Sequence, residues 1–317
     1  MAESIGLIER AAALLRQREG GEAAPLPAAP PLDGFASSAT GTAPGARDDA
    51  DIGGTELILD RGQLTSFGVA IPSAERSRTA EEFRIVKRNL TTAWAAGDRA
   101  GDGRFIRIIM VTSARPGEGK TFVALNLALA FSSEKEVKAL LVDADTHVGP
   151  RHSAIKTVLG IGESKGLVDV LAGAAGLEDA LIRTNIENLL VLPAGRGGPH
   201  VPELFSSRHM SVLLNELTRR FPERFVILDT PPCMVSSDAA TMAPLVGQIV
   251  FVIEAFRTQY DEIEASLSML SACPRISLLL NKSEQTTAHF GSYAYGYGYH
   301  YPGGNGDEQR GDGPAPP

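Results

Sequence analysis

Cysteine is scarce in this chain of 317 residues: only Cys233 and Cys273 are present, and neither sits in a metal-ligand spacing. A disulfide framework is therefore not expected, which fits a reducing compartment. Long apolar runs are also missing, because the stretches Phe122–Phe131 and Pro244–Phe256 are too short or too interrupted to span a bilayer. The N-terminus has no basic start followed by an apolar run, so we expect no signal peptide and a soluble, cytoplasmic protein.

An excess of positive charge is lacking as well. The formal net charge is −8, which argues against broad, non-specific binding to nucleic acid or anionic lipid. Hydrophobic residues make up 43% of the chain, enough for a sizeable core, whereas 33 glycines and 20 prolines indicate that part of the chain is unpacked. We therefore expect one large α/β domain with flexible ends, or two small domains.

Composition changes along the chain and divides it into parts. Residues 1–18 have apolar side chains at helical spacing and predict an amphipathic helix, which either docks on the main domain or contacts a partner or a membrane surface. Residues 19–75 are for the most part rich in Ala, Pro, Gly and Asp and predict a largely flexible linker. Residues 76–285 form the main domain, which opens with a helix over Thr79–Ala96, and residues 286–317 form a flexible Tyr- and Gly-rich tail.

Within the main domain, apolar runs rich in Ile and Val alternate with stretches that suit crossover helices. This alternation predicts an α/β fold with a doubly wound, mostly parallel sheet and helices on both faces. In such sheets ligands bind at the carboxyl ends of the strands, and the motifs described below fall at such ends. The predicted strands are Phe105–Thr112, Ala139–Val142, Leu189–Leu192, Arg224–Leu228, Ile249–Glu254 and Ile276–Leu280.

A glycine-rich loop follows the first of these strands and opens the predicted helix Phe122–Phe131. It matches the phosphate-binding pattern G-x-x-x-x-G-K-[ST], except that Ala114 replaces the first glycine. Glycines let backbone N–H groups approach phosphates, and the N-terminus of the helix adds favourable partial charge. We expect Lys120, on an exposed loop, to reach the β- and γ-phosphates of ATP, and the Thr121 hydroxyl to ligate Mg²⁺. The predicted fold is therefore of the P-loop NTPase type. The loop reads Ala114-Arg115-Pro116-Gly117-Glu118-Gly119-Lys120-Thr121.

Carboxylates follow two further strands. Asp143 and Asp145 come directly after one strand, and Asp229 comes after another. A single aspartate at a strand end is often only the N-cap of a helix. Together with the phosphate loop, however, these residues indicate a Mg²⁺–nucleotide centre. We expect Asp229 to hold the metal directly or through water, and Asp143 and Asp145 to hold metal or accept a proton.

The chain resembles the bacterial tyrosine kinases of exopolysaccharide and capsule assembly, whose P-loop domain is related to MinD-type ATPases. The resemblance runs from about Glu81 to Tyr301, and in detail it is most similar to the tyrosine autokinases encoded with exosortase-type exopolysaccharide loci. The matching runs are Pro116-Gly117-Glu118-Gly119-Lys120-Thr121, Asp143-Ala144-Asp145, Leu192-Pro193-Ala194-Gly195, Glu203-Leu204-Phe205-Ser206-Ser207 and Asp229-Thr230-Pro231-Pro232.

The resemblance implies a protein-tyrosine kinase that uses ATP and Mg²⁺. It implies that Lys120, Asp143 and Asp145 are catalytic, and that Thr121, Asp143 and Asp229 hold the metal. This family usually has an Arg-Pro stretch after the second acidic motif, whereas this chain has Thr146 to Pro150, so a basic residue such as Arg151 is a candidate for that role. The implied ATP-binding residues are Arg115, Pro116, Gly117, Glu118, Gly119, Lys120, Thr121, Phe122 and Asn281.

Five of the six tyrosines form a row near the C-terminus, separated by Gly, Ala and His. The glycines disfavour a β-strand, and without the upstream motifs the row would indicate only a low-complexity tail. With those motifs it is interpreted as a phospho-acceptor cluster, the hallmark of the family. A phenol with a pKa of about 10 is a weak nucleophile at neutral pH, so a nearby carboxylate should accept its proton. The acceptors are Tyr293, Tyr295, Tyr297, Tyr299 and Tyr301.

The helix over Thr79–Ala96 carries Glu81, Arg84, Lys87 and Arg88. This set resembles the family's Glu-x-x-Arg-x-x-Arg motif, which joins neighbouring subunits into a ring, with a lysine in place of the last arginine. The alternative is a solvated charged helix. The resemblance also implies a separate transmembrane polysaccharide co-polymerase, which activates the kinase and recruits it to the inner face of the plasma membrane, and a protein-tyrosine phosphatase.

Two other functions stay open at this point. A MinD- or ParA-like ATPase would position partners through nucleotide-dependent dimers and would phosphorylate nothing. Arg115 stands where those proteins carry a signature lysine. A pseudo-enzyme adaptor is disfavoured because no expected acidic or basic residue of the site is missing. The tyrosine row favours the kinase over the ATPase.

Overall fold

A computed structural model describes residues 56–71, 77–95, 97, 105–134, 137–146, 153–196, 201–205 and 208–283. The predicted N-terminal helix, Arg151 and the tyrosine row lie outside these residues. The chain divides into a unit of residues 1–282 and a second unit of residues 283–317, and the fold described below belongs to the first. Within the described ranges, no helix is both long and apolar enough to cross a membrane.

One sheet organises the domain. Its strands are β1 (Glu56–Leu57), β2 (Ile108–Ser113), β3 (Lys138–Asp143), β4 (Ile182–Thr184), β5 (Leu189–Leu192), β6 (Arg224–Asp229), β7 (Gln248–Glu254) and β8 (Ile276–Asn281). They form an 8-stranded sheet in the order β1-β4-β5-β3-β6-β2-β7-β8. Neighbouring strands run parallel except β4 and β5, which are antiparallel. The predicted α/β fold with a mostly parallel sheet is confirmed.

Helices cover both faces of this sheet. Successive side chains of a strand point to opposite faces, so Ile108 and Met110 enter one core while Ile109 and Val111 enter the other. Burial on both faces explains why the strands are continuous apolar runs in the sequence. The helices are α1 (Arg61–Ser66), α2 (Arg78–Ala95), α3 (Lys120–Ser132), α4 (Ala154–Leu159), α5 (Leu167–Leu171), α6 (Leu177–Ala180), α7 (Val201–Phe205), α8 (Arg208–Arg220), α9 (Asp238–Met242) and α10 (Tyr260–Met269), with a 3-10 turn at Ala243–Leu245.

The order of the strands places a crevice at the end of β2. Helix α3 follows β2 and packs on one face, whereas α9 leads from β6 to β7 on the other face. The direction of winding therefore reverses around β2, which lies between β6 and β7. Such a switch point is where doubly wound sheets bind their ligands, outside the carboxyl ends of the strands.

The structure corrects part of the predicted linker over residues 19–75. Residues 56–71 form β1 and α1 and pack on the domain. The backbone N–H of Leu59 donates to the Asn185 side chain (2.9 Å), a contact between segments that are distant in sequence. Local composition does not reveal such a contact, so the sequence by itself indicates a linker over this segment. The buried apolar side chains of the segment are Leu59, Leu64 and Val69.

Candidate active site

The glycine-rich loop leaves β2 after Ser113 and enters α3 at Lys120. Its backbone requires glycine at two positions, because Gly117 and Gly119 have φ angles of 84° and 98°, in the left-handed region. A Cβ atom at Gly119 would also collide with the amide group of Asn281. The loop thus turns directly into the helix and leaves the first N–H groups of α3 without helical partners. Such groups bind phosphate oxygens.

Side chains from the neighbouring strands hold this loop in place. The buried Glu118 carboxylate accepts a hydrogen bond from the hydroxyl of Thr258 (2.5 Å), in the turn after β7. The Asn281 amide donates to the carbonyl of Glu118 (2.9 Å), and Lys282 Nζ donates to the carbonyl of Gly117 (2.7 Å). The side chains of Glu118 and Asn281, both predicted to bind ATP, therefore support the loop that would bind the phosphates.

Lys120 is the first residue of α3 and is buried, which corrects the expectation of an exposed loop position. Its Nζ forms an ion pair with Asp145. Burial alone would lower the pKa of Lys120, but the charges of three aspartates raise it above its ordinary value. Lys120 is therefore held as an ammonium group. We call these aspartates the acidic trio: Asp143, Asp145 and Asp229.

Two members of the acidic trio lie deep in the sheet. Asp143 and Asp229 end adjacent strands and are register partners, each 1% exposed. Burial raises the pKa of Asp143 to about 7, although the hydrogen bond that its carboxylate accepts from Ser153 acts to lower this pKa. Burial likewise raises the pKa of Asp229 to about 6, against the charge of Lys120. Carboxylates that are so deprived of water are costly to the fold and are typical of functional sites.

The acidic trio fits Mg²⁺ on its own chemistry. Each of the three aspartates has a buried Oδ1 atom without a hydrogen-bond partner. Among the described residues, no group of three or more His, Cys, Asp and Glu side chains is arranged to hold a metal ion. Mg²⁺ binds to one or two carboxylates and keeps waters and substrate phosphates, and the unpartnered oxygens are of the kind that it prefers. The Thr121 hydroxyl bonds to Asp229, so it lies beside the same carboxylate.

Two side chains that were predicted to bind ATP are engaged elsewhere. The Arg115 guanidinium pairs with Glu262 of α10. The Phe122 ring packs edge-on against Phe83 of α2, with ring centroids 5.8 Å apart. Pro116 is exposed and has no N–H group to donate. Because the Arg115 N–H also donates to Glu118 (2.8 Å), the backbone from Gly117 onward is the part of the loop that suits a phosphate.

The predicted oligomerisation residues separate into two groups on α2. Glu81 and Arg84 form an exposed ion pair (2.5 Å), and Arg88 is exposed on the same face. Lys87 instead is buried, and its Nζ pairs with Glu134 at the end of α3 (2.5 Å). Of the four predicted oligomerisation residues, Lys87 therefore does not lie on the exposed face, because its side chain fixes α2 to the domain.

Sequence reasoning missed Ser153 and Thr258. Ser153 donates to Asp143 and also caps α4, where its Oγ accepts from the backbone N–H of Lys156 (3.2 Å). A serine before an apolar run is a recognised N-cap signal, so the capping role could have been found. Thr258 carries no such signal, because its contact with Glu118 joins distant parts of the chain.

Comparisons with known proteins relate this chain to P-loop kinases. A family described as an AAA domain matches residues 106–255. The chain is 30% identical over 221 residues to the tyrosine-protein kinase CpsD of Streptococcus agalactiae, which covers 69% of this chain and 90% of that protein. It is 30% identical over 217 residues to the tyrosine-protein kinase YwqD of Bacillus subtilis, which covers 68% of this chain and 86% of that protein.

A solved structure supports the same relationship. The crystal structure of the chimerical protein CapA2B2 is similar to this fold, with a TM-score of 0.56 and 26% identity, over 71% of this chain and 92% of that one. The relatives are thus matched over most of their own length, in sequence and in fold. This chain belongs to the family of bacterial tyrosine kinases that are built on a P-loop domain.

Proposed function

We propose that this chain is an ATP-dependent protein-tyrosine kinase that transfers the γ-phosphate of ATP to the tyrosine row of a neighbouring copy, with ATP hydrolysis as an accompanying activity. The observation that carries the proposal is that Lys120, beside the glycine-rich loop, pairs with Asp145 and interacts electrostatically with all three aspartates of the acidic trio. The relatives of this chain bear the name tyrosine-protein kinase, and the acceptor tyrosines are present in the sequence at residues 293–301.

The chemistry of transfer follows from this arrangement. The tyrosine Oη attacks the γ-phosphorus, the bond to the β–γ bridging oxygen breaks, and ADP departs. Lys120 donates hydrogen bonds to the β- and γ-phosphate oxygens and stabilises the charge of the transferred group. To reach them its ammonium leaves Asp145, whose freed carboxylate accepts the phenolic proton.

Three oxygen donors would hold the metal. Asp143 and Asp229 end adjacent strands, and each has a buried Oδ1 without a hydrogen-bond partner. The Thr121 hydroxyl, in the first turn of α3, bonds to Asp229. Bound there, Mg²⁺ would neutralise charge on the β- and γ-phosphates. Without a cation, ATP would bring additional negative charge to a buried acidic site, so nucleotide binding should depend on the metal.

The proposal extends to assembly and partners. The exposed residues Glu81, Arg84 and Arg88 form the face on which copies associate into a ring, and residues 286–317 carry the acceptors to the neighbouring site. A separate transmembrane co-polymerase activates the kinase and recruits it to the inner face of the plasma membrane, and a phosphatase resets it. The process regulated is exopolysaccharide polymerisation or export. These partners are the ones that the sequence resemblance implies, and family membership supports them.

The test is mass spectrometry of the purified full chain, incubated with and without ATP and Mg²⁺. Phosphate should appear on tyrosines 293–301 and only where both ATP and Mg²⁺ are present. Lys120→Met should reduce this signal by about 10²- to 10³-fold, because the charge of the transferred group loses its stabilisation. Hydrolysis of ATP without any phosphotyrosine would instead establish the MinD-like ATPase alternative.

Two control variants make the result specific to the site. Lys120 is buried among carboxylates, so Lys120→Met can also affect stability, whereas Lys120→Arg keeps a cation beside Asp145. Lys120→Arg should retain the thermal midpoint and still lose activity, since the planar guanidinium fork places its donors differently from the compact ammonium. Lys165→Met changes an exposed lysine that pairs with Asp179 (3.2 Å) and should keep wild-type activity. Wild-type phosphorylation by folded Lys120→Met would contradict the assigned site.

A further inference from the structure

The turn after β7 presents an aromatic ring to solvent. Phe256 is 65% exposed, and its φ angle is 62°. A bulky L-residue is strained in this left-handed region, where glycine is the residue that fits without steric cost. Exposure and strain both disfavour phenylalanine at this position. Folding of the chain therefore does not account for the ring.

Hydrogen bonds on both sides of Phe256 fix the turn in this conformation. The Thr258 hydroxyl accepts from the backbone N–H of Glu254 (3.0 Å), and the N–H of Ala255 donates to the carbonyl of Asn281 (2.9 Å). The Glu254 carboxylate also pairs with Lys282 (3.1 Å). Strained residues persist where the surroundings determine the backbone in this way, and they cluster at sites that clamp ligands.

The groups that fix the turn also contact the phosphate loop. Thr258, two residues after Phe256, donates to the Glu118 side chain, and Lys282 donates to the carbonyl of Gly117. β7 is the direct neighbour of β2 in the sheet, so its carboxyl end lies beside the loop. Phe256 is consequently held at the rim of the proposed active site by a rigid backbone.

We propose that the Phe256 ring is the docking contact for the tyrosine row of a second copy, residues 293–301. This inference rests on the proposed function, because it names how that site recognises its acceptor. The row contains Tyr, Gly, Ala and His and no Asp, Glu, Lys or Arg. A nearly neutral segment can approach the acidic trio without the repulsion that an acidic peptide would meet. Its rings can pack edge-to-face or offset on Phe256, as aromatic pairs do.

The spacing of the row suits a single docking ring. In an extended chain, alternate residues point to the same side, so all five tyrosines would share one side. A tyrosine packed on Phe256 then places the next one about 7 Å further along the chain, facing the same way. Moving the chain by two residues restores the same contact with a new acceptor. One ring can thereby serve each acceptor in turn.

The test measures peptide phosphorylation by the full chain. Its own five tail tyrosines are changed to phenylalanine, so that a synthetic peptide of residues 290–302 is the acceptor. Phe256→Gly should raise the KM for this peptide about tenfold, the loss expected from one aromatic contact, while the KM for ATP changes less than twofold. The thermal midpoint should not fall, because glycine accepts the left-handed φ. Phe256→Trp keeps an aromatic ring and should stay within about threefold of wild type.

A matched control lies at the other end of the next helix. Met269 ends α10, which leads from the rim back toward the start of β8, and it is 41% exposed. Met269→Ala should leave the peptide KM unchanged. An unchanged peptide KM in Phe256→Gly would overturn the inference, with the kinase assignment intact. An equal rise in the KM for ATP would also overturn it, because the ring would then serve the nucleotide. If the enzyme with Phe256 intact did not phosphorylate the peptide at all, the proposed function and this inference would both be wrong.

Discussion

Replacing Asp143 by asparagine should stabilise the nucleotide-free protein increasingly as the pH rises, while it impairs catalysis. Burial raises the pKa of Asp143 from 3.8 to about 7 in the folded protein. Between these two values the folded state binds more protons than the unfolded state. The free energy of unfolding therefore falls as the pH rises through this window, and the contribution is lost by about pH 7.

The size of the effect follows from the same two pKa values. For one group with these constants, the linkage relation gives a loss of about 2–3 kcal/mol between pH 5 and pH 8. Asparagine does not ionise, so the variant does not undergo this fall in the free energy of unfolding. Its side-chain oxygen can still accept the hydrogen bond from Ser153, so the surroundings are retained. The buried NH₂ group costs about 1–3 kcal/mol at every pH, so the pH dependence of the difference is the diagnostic quantity.

The assay is urea unfolding of wild type and Asp143→Asn at several pH values from 5 to 8, with EDTA and without nucleotide. The difference in unfolding free energy, variant minus wild type, should rise by about 2–3 kcal/mol across this range. Asp238→Asn removes a buried carboxylate at the start of α9, outside the acidic trio, and reports the general effect of such a change. A constant difference for Asp143→Asn across the range would refute the reasoning.

Three further predictions concern the metal, the helix α2 and the tail. Asp229→Asn should raise the Mg²⁺ concentration needed for half-maximal activity by about 10- to 100-fold. A Mg²⁺ titration identical to that of the wild type would contradict the role of Asp229. Lys87→Met should lower the free energy of unfolding by about 1–3 kcal/mol in urea, because the Glu134 pair and the hydrogen bond to the Ala130 carbonyl are lost. The matched Arg84→Met change is at an exposed position and should keep the thermal midpoint but weaken assembly. Phosphorylation of five tyrosines adds a charge of roughly −7.5 to −10, which should drive the copies apart. Light scattering should therefore give a lower molar mass for phosphorylated protein than for Lys120→Met protein, and the difference should narrow as salt rises. Equal molar masses would exclude charge-driven disassembly.

Local patterns in the sequence were sufficient for the framework of the domain. Continuous apolar runs predicted the core strands, and β5 was placed at its observed bounds, Leu189–Leu192. Such runs are informative because a parallel sheet is buried on both faces. The glycine-rich loop was also recognisable, since its left-handed backbone allows few residues other than glycine at Gly117 and Gly119. The short strands β1 and β4 were missed, because two or three residues carry no periodic signal.

Tertiary structure decided the state of the site. The sequence placed Asp143 and Asp229 at strand ends and Lys120 on the glycine-rich loop, but their burial and the Lys120–Asp145 ion pair depend on how β2, β3 and β6 pack together. Burial is also what raises the pKa values of the aspartates, so the electrostatics could not be read from spacing.

The same distinction applies to single residues. The sequence alone determined that this chain has a phosphate loop, acidic strand ends and a tyrosine row, because each is a local pattern with its own chemistry. Only the folded chain determined that Lys87 is buried against α3 and that Phe256 is exposed in a strained turn. Both outcomes depend on contacts between segments distant in sequence, which compete with local preference and here override it.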